Sequence, residues 1–462
     1  MTKSQKKAAS PESLTVHMIG NAHLDPVWLW HWQRGSDEAL ATCRAACDLL
    51  DDYPDVTFTR GEAWVYEQVR LLDPELLRRI RRHVKAGRWD VVGGWWIQPD
   101  VNLPTEEAIL HSASLGHAWF QDYLGVADIP VGYNVDSFGH GAFVPRMLRR
   151  AGQKYYVMMR PGPHEKELPS CLFRWKSPDG AEVLTFRIVG GYGNNGPDVS
   201  WSVNAAIEHA PKGIGHVMCF YGVGDHGGGP TRATVDWIRA HANYAPGVTL
   251  EFSSPTRFFK TVEPLAHSVP VVAGELQMHA VGCYSVCGAL KRSVREAELA
   301  AIDAGHLLHK SDPRATQSEA EDINMAWRII CFNQFHDILP GSSVAEAVEA
   351  AKAQLGAART LVDHATHSLL RAHRRRGGDD TVAGHRLHAV NRVARPWAGL
   401  ADTEVWLDWR PWKHHIEDAA GRPVPFQTTQ PASLIFEPGL HPITRLLFPV
   451  TLAPLEHKVL RL

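Results

Sequence analysis

LTVHMIGNAHLDPVWLW, residues 14–30, opens as a short strand, LTVHMIGN, and then changes character. His23 and Asp25 stand two apart directly after that strand, followed by Pro26, Trp28 and Trp30, with Trp32 just beyond. On extended backbone, residues two apart point to the same side. One imidazole and one carboxylate at a strand end can therefore grip a single ion. The same order, strand then polar loop, recurs down the chain. It is read in VTFTRGEAWVYEQVRLLDPELLRRIRRHVKAG, where helices after the strand stop at Gly87, and in RWDVVGGWW, where a helix follows from about Glu106. It is read again in IPVGYNVDSFGH, KYYVMMRPGP, VLTFRIVGGYGN and HVMCFYGVGDHGGGP. Between the first two strands, SDEALATCRAACDLLDDYP has helical spacing, with Ser36 or Asp37 as the expected cap.

Strands alternating with helices predict parallel strands in an α/β layer or barrel. His23, Asp25, Asp100, Asp136, Arg160 and Asp225 all fall just after a predicted strand. In parallel α/β folds the binding crevice lies at the carboxyl ends of the strands, so these residues are candidates for one site. From about residue 285 the pattern becomes three long helices with short links, which predicts a helical bundle. RRRGGDD at 374–380 reads as a charged, glycine-containing linker, and the remainder is rich in β-formers and turn residues.

With 44% apolar and 21% charged residues among 462, the chain reads as an ordinary soluble globular protein of two or three domains. A formal net charge of −2 offers no electrostatic footprint for nucleic acid or an anionic membrane. No apolar run reaches the roughly 18 residues of a membrane span. The polar start, MTKSQKKAASPESLTVHMIG, lacks the apolar core of a secretory signal. Seven cysteines without a C-x-x-C pair read as reduced thiols, and the expected location is cytoplasmic. The unusual counts are 16 Trp and 26 His: indoles suit sugar C–H faces as well as cores, and imidazoles suit metals and proton transfer.

Zinc takes His nitrogen and Asp oxygen, usually with four ligands. A lone H-x-D reads more readily as a hydrogen-bonded pair in a turn, so further ligands are needed. Asp136 in NVDSFGH and His336 in FNQFHDILPGSS, the latter expected in mid-helix before Pro340–Gly341, are the two candidates.

GNAHLDPVWLW, NVDSFGHGAFVPRML, YGVGDHGGGPT, GELQMHAVGCYS followed by LKRSVREAE, and NQFHDILPGSS occur in this order over roughly residues 14–350. Together they resemble glycoside hydrolase family 38, the class II α-mannosidases. The resemblance implies an α/β fold: a seven-stranded (β/α) barrel-like catalytic domain over 12–270, a three-helix bundle (the α-mannosidase middle domain) over 271–373, and the beginning of a β-sandwich domain over 380–462. It implies a Zn²⁺ ion, with Co²⁺ or another divalent ion also fitting a His₂Asp₂ set, held by His23, Asp25, Asp136 and His336. Asp136 is then also the nucleophile and Asp225 the acid/base. Trp28 and Phe138 wall the sugar subsite, while Asp100, Arg160 and Asp337 contact hydroxyls or the nucleophile. His226, beside the acid, is expected to be neutral or turned away, and Trp30 and Trp32 are expected in the core.

The activity implied is zinc-dependent, retaining hydrolysis of terminal α-mannosyl residues through a covalent glycosyl-Asp intermediate. Family members continue into large β domains, and here that region is expected to be truncated. The alternative is therefore a catalytically incompetent zinc- and sugar-binding fragment that needs a partner chain. A remoter reading is a zinc-dependent carbohydrate deacetylase. The partners expected are a mannose-containing oligosaccharide or a mannosylated small molecule, with a second copy or a partner chain supplying the β domain, and neither nucleic acid nor membrane.

Overall fold

The computed structural model describes residues 13–277, 279–309, 311, 316–376, 386–391, 393–406, 415–430 and 443–462. The described residues form two compact units, one within 1–301 and 322–362 and the other within 302–321 and 363–462. The first unit holds strands β1 (Leu14–Gly20), β2 (Phe58–Arg60), β3 (Trp89–Val91), β4 (Val131–Asn134), β5 (Tyr155–Met158), β6 (Leu172–Lys176), β7 (Glu182–Arg187), β8 (His216–Tyr221), β9 (Asn243–Ala245), β10 (Val248–Ser253) and β11 (Val271–Ala273). Helices α1 (Trp32–Asp52), α2 (Ala63–Leu72), α3 (Pro74–Lys85), α4 (Glu106–Leu124), α5 (Val144–Arg150), α6 (Ser200–Glu208), α7 (Arg232–Ala240) and α8 (Pro255–Val262) separate them.

The strands are mostly parallel, as the alternation predicts. β1 lies between β8 and β10, parallel to both. β5 lies between β4 and β7, again parallel to both, and β2 pairs in parallel with β3. Antiparallel pairings, β6 on β7 and β9 on β10, extend the two larger sheets. Short links continue from sheet to sheet: Asn21, just beyond β1, bridges Thr59 of β2, and the Gly93 amide donates to Val131 O. Trp95, Tyr156, Phe173 and Trp175 are among the large side chains buried in one apolar cluster with Ile109 of α4 and Leu148 of α5. These apolar contacts hold the sheet beneath the loops that carry polar residues.

Helix α1 starts at Trp32, four residues before the expected cap, and its N-cap His31 makes no side-chain capping bond. Ser36 is instead inside the helix, its hydroxyl donating to Gln68 Oε1 at 3.1 Å. The early start depends on Gly35: a Cβ there would meet Pro26 O at 2.2 Å. Only glycine lets the loop after His23 and Asp25 lie this close to the first turn of the helix.

Three long helices follow, α9 (Gly288–His309), α10 (Gln317–Asn333) and α11 (Ala345–Arg376), and the division between the two units passes through each. Buried Ala347, Ala351, Leu355, Ala358 and Val362 repeat at three- and four-residue steps, one apolar stripe of α11. Arg374–Arg376 of the expected linker belong to α11, and the rest of it lies outside the described residues. Among the described residues no helix is long and apolar enough to cross a membrane.

In the second unit, strands β12 (Arg386–Val390), β13 (Trp397–Trp406), β14 (Ile416–Glu417), β15 (Pro423–Val424), β16 (Gln427–Thr429), β17 (Ile443–Leu452) and β18 (His457–Arg461) form two sheets, β12-β18-β14-β15 and β13-β17-β16. Ile416 and Leu460 of the one share an apolar cluster with Leu446, Phe448 and Val450 of the other. β18 is paired on both sides, by β12 and β14, so it does not form a bare edge.

Candidate active site

Loops leaving the carboxyl ends of five parallel strands supply the site: β1 gives His23 and Asp25, β4 gives Asp136 and Phe138, β5 gives Arg160, β7 gives Tyr192, and β8 gives Asp225. His336 comes from the turn after α10, not from mid-helix. The helix ends at Asn333 because the chain turns to bridge β3's loop: Phe335 pairs with Pro99, and the Asp100 amide donates to Gln334 O at 2.9 Å.

His23, Asp25, Asp136 and His336 are all buried, and one ligand atom of each lies within 4.8 Å of the others. His23 Nε2 is 2.8 Å from Asp25 Oδ1 and 3.7 Å from Asp136 Oδ2. His336 Nε2 is 3.5 Å from Asp25 Oδ1 and 4.0 Å from Asp136 Oδ2. The two imidazoles are stacked, with centroids 5.3 Å apart. His23 Nε2, His336 Nε2 and Asp25 Oδ1 are buried without a well-formed hydrogen bond. Such orphaned polar atoms are costly unless something binds them. Four converging N and O donors fit one divalent cation.

The electrostatics agree with that reading. Burial would push the Asp25 carboxyl up, but the two imidazoles outweigh it and hold it down at about 2. Burial opposes charge on His336, yet Asp25, Asp337 and Asp136 outweigh it and lift the imidazole to about 9. A site that stabilises positive charge this strongly suits a cation. His336 Nδ1 lies 3.0 Å from Gln98 O, a contact in which Nδ1–H donates and Nε2 is left to face the cluster.

Arg160 binds Asp136 through Oδ1, with Nε at 2.7 Å and Nη2 at 2.6 Å. Phe138 stands edge-on to His336 at 6.0 Å between centroids. Asp337 Oδ2 is 4.0 Å from His336 Nε2, and burial raises this carboxyl to about 6. Asp100 is fully buried: its Oδ1 accepts from the amides of Asn102 and Leu103 at 2.8 and 2.7 Å, while its Oδ2 is unpartnered. Burial raises its pKa.

Asp225 is half-buried, with φ of 59°, and its carbonyl accepts from the Asp25 amide at 2.7 Å. The glycines around it make this possible: a Cβ on Gly222, at φ 120°, would meet Asn21 O at 2.1 Å. His226 is not turned away. Its Nδ1 contacts Asp225 Oδ1, because the tight glycine turn keeps the adjacent side chains together.

Trp28 is half-buried, edge-on to Trp30 at 5.8 Å. Trp32 is 42% exposed, outside the core, because it opens α1 on the solvent side. Trp30 is half-buried, and its Nε1 donates to Asp25 O at 2.9 Å, bracing the loop after β1.

Two neighbours of the cluster escape the sequence reading. Tyr192 stands edge-on to His23 at 5.0 Å, and its phenol is pushed up by burial and by Asp136, Asp25 and Asp225. Its only sequence signal is the glycine-rich loop VGGYGN after β7. Gln98 links Asp136 to the interior: its Oε1 accepts from the Asp136 amide at 3.1 Å, and its Nε2 donates to Glu62 Oε1 at 3.0 Å. No local signal marks it.

Known proteins share this architecture. The model for the glycosyl hydrolases family 38 N-terminal domain matches residues 13–275, and that for the alpha mannosidase middle domain matches residues 278–372. Alpha-mannosidase G of Dictyostelium discoideum is 28% identical over 343 residues, 72% of this chain and 31% of its own. Human Alpha-mannosidase 2C1 is 28% identical over 344 residues, 73% of this chain and 33% of its own. The chain thus spans about a third of the length of these curated relatives. The crystal structure of an alpha-mannosidase from Enterococcus faecalis V583 has the same fold, with a TM-score of 0.76 at 16% identity, covering 97% of this chain and 56% of that one. With the N-terminal model matched over more than half of its length, the chain belongs to glycosyl hydrolase family 38.

Proposed function

We propose that this chain is a zinc-dependent retaining α-mannosidase acting on terminal α-mannosyl residues of an oligosaccharide or a mannosylated small molecule. The observation that carries the reading is the convergence of His23, Asp25, Asp136 and His336 on one point, with Arg160 on the far oxygen of Asp136. These four residues would hold the ion. When bound, zinc supplies positive charge that favours an ionised Asp136 and a seat for vicinal sugar hydroxyls.

The chain's own residues do the rest. Arg160 orients the Asp136 carboxylate, which attacks the anomeric carbon while Asp225 gives its proton to the leaving oxygen. The glycosyl-Asp136 ester is then cleaved by water that Asp225 deprotonates, so configuration is retained. Asp225 is half-exposed, which suits a group that must exchange protons with solvent. Trp28, Phe138 and Tyr192 exclude water around the sugar, and Asp100 and Asp337 offer carboxyl groups to its hydroxyls. In this reading the parallel strands β1, β2, β3, β4, β5, β7 and β8 are the seven staves of one barrel, and the two sheets of the second unit are the faces of a β-sandwich.

The test is hydrolysis of an aryl α-mannoside by the purified chain, before and after chelation and zinc restoration, with NMR of the first-formed anomer. Zinc-restored turnover giving the α-anomer supports the reading. A folded, metal-loaded chain with no turnover, or one releasing the β-anomer, refutes it.

A further inference from the structure

A cavity of about 380 Å³ lies between the segment leading into β6, the end of β7, the segment after α6 and the segment before β11. None of its lining residues belongs to the metal cluster. That volume equals roughly a dozen water molecules at about 30 Å³ each, far more than a single structural water needs. Its lining includes Arg187, Lys212, His209 and Ser170.

Arg187 is the unusual member. It closes β7 and is only 3% exposed. A guanidinium carries five N–H donors. The protein accepts from Nη1, through Lys166 O at 2.6 Å, while Nε is sealed from solvent, and so from the cavity, without a partner. Among the described residues Arg187 is in no ion pair, and the titratable neighbour that bears on its charge is Cys171. The neighbouring Cys171 thiol is pushed up to about 12 by burial and so stays neutral. A buried guanidinium is rarely left without a counter-charge, and here the adjoining space is empty of protein and carries a second cation, Lys212. Glu208, the acidic member of the lining, is exposed and forms no ion pair with Arg187.

We propose that this cavity is a binding site for a small oxyanion, a phosphate or carboxylate group, gripped by Arg187 and Lys212. The terminal nitrogens of the Arg187 guanidinium are the donors left for either group, and exposed Lys212 adds a mobile charge. The site is independent of the hydrolytic reading, because it shares no residue with the metal cluster.

The experiment is titration calorimetry and thermal unfolding of the full chain with sodium phosphate and, separately, sodium succinate, at constant ionic strength. Saturable one-to-one binding with a rise in Tm is expected, and the tighter of the two anions identifies the class. Lys212→Glu and Arg187→Met should each weaken binding about tenfold or more. Lys212 is exposed, so its variant reads out even if Arg187→Met does not fold. Absence of saturable binding by both anions overturns the proposal. So does binding that Lys212→Glu leaves unchanged, which would put the anion elsewhere.

Discussion

Arg160 holds Asp136 by one oxygen only. Its Nε and Nη2 lie 2.7 and 2.6 Å from Oδ1, while Oδ2 faces His23 and His336 at 3.7 and 4.0 Å. The carboxylate is thereby divided between a guanidinium and the two imidazoles, and its rotation is restricted from both sides. This division is what the proposed nucleophile requires: one oxygen anchored, the other facing the cation and the sugar.

Arg160→Gln removes the charge and the Nη2 contact and keeps a shorter polar side chain. The expected outcome is a fall in kcat/KM of about 10- to 100-fold, borne mostly by kcat, since charge-assisted bonds of this kind are worth a few kcal/mol at most. Steady-state kinetics on an aryl α-mannoside decides. A change below about threefold would remove Arg160 from the mechanism.

Asp136→Asn and Asp225→Asn should differ in kind. The first abolishes turnover with every substrate, because no ester can form. The second costs about 10²- to 10⁴-fold with a poor leaving group and much less in glycosylation with a leaving group that needs no proton. A burst of dinitrophenol from the Asp225 variant, followed by slow turnover that azide accelerates, is the signature. Equal losses on both substrates would count against Asp225 as the acid.

Gln98→Ala takes the support from beneath Asp136 and the bond to Glu62, while the Gln98 carbonyl can still accept from His336. Metal affinity should fall by about 10- to 100-fold, the usual cost of losing a partner behind a ligand shell. Competition with a chromogenic chelator measures it directly. Unchanged affinity with reduced kcat would instead assign Gln98 to the nucleophile alone.

Glu298 is fully buried on α9, accepts from Gln334 Nε2 at 2.6 Å, and is raised by burial to about 7. Between its unfolded value of about 4.5 and 7 the folded chain binds the proton more tightly than the unfolded chain, so stability falls as pH rises through this window. The loss approaches at most about 3 kcal/mol above pH 7. Thermal unfolding from pH 5 to 8 should show the decline, and Glu298→Gln should flatten it whatever its own stability. A variant with the same slope as the parent would assign the pH dependence to other groups.

Much of this was legible in the chain itself. The alternation of strand and helix predicted parallel strands, and the positions of His23, Asp25, Asp136, Arg160 and Asp225 just after strands followed from that alternation. The ordered motifs carried the family. Local spacing suffices for these because side-chain direction along a strand and the place of a loop after it are local properties. It did not suffice for the end of α10, where helical pattern continues through His336 but pairing of Phe335 with Pro99 breaks the helix. Nor did it suffice for Trp32, whose apolar side chain opens a helix at the surface.

The sequence by itself determined which side chains of this protein could bind a cation, and the order of strands that delivers them. Only the tertiary structure decided that Gln98 and His336, 238 residues apart, meet through a carbonyl and an imidazole. It alone decided that Tyr192 joins the cluster and that Arg187 is buried beside open space without a counter-charge. Long-range contacts of this kind depend on how loops from separate strands converge, and no spacing within one segment encodes that convergence.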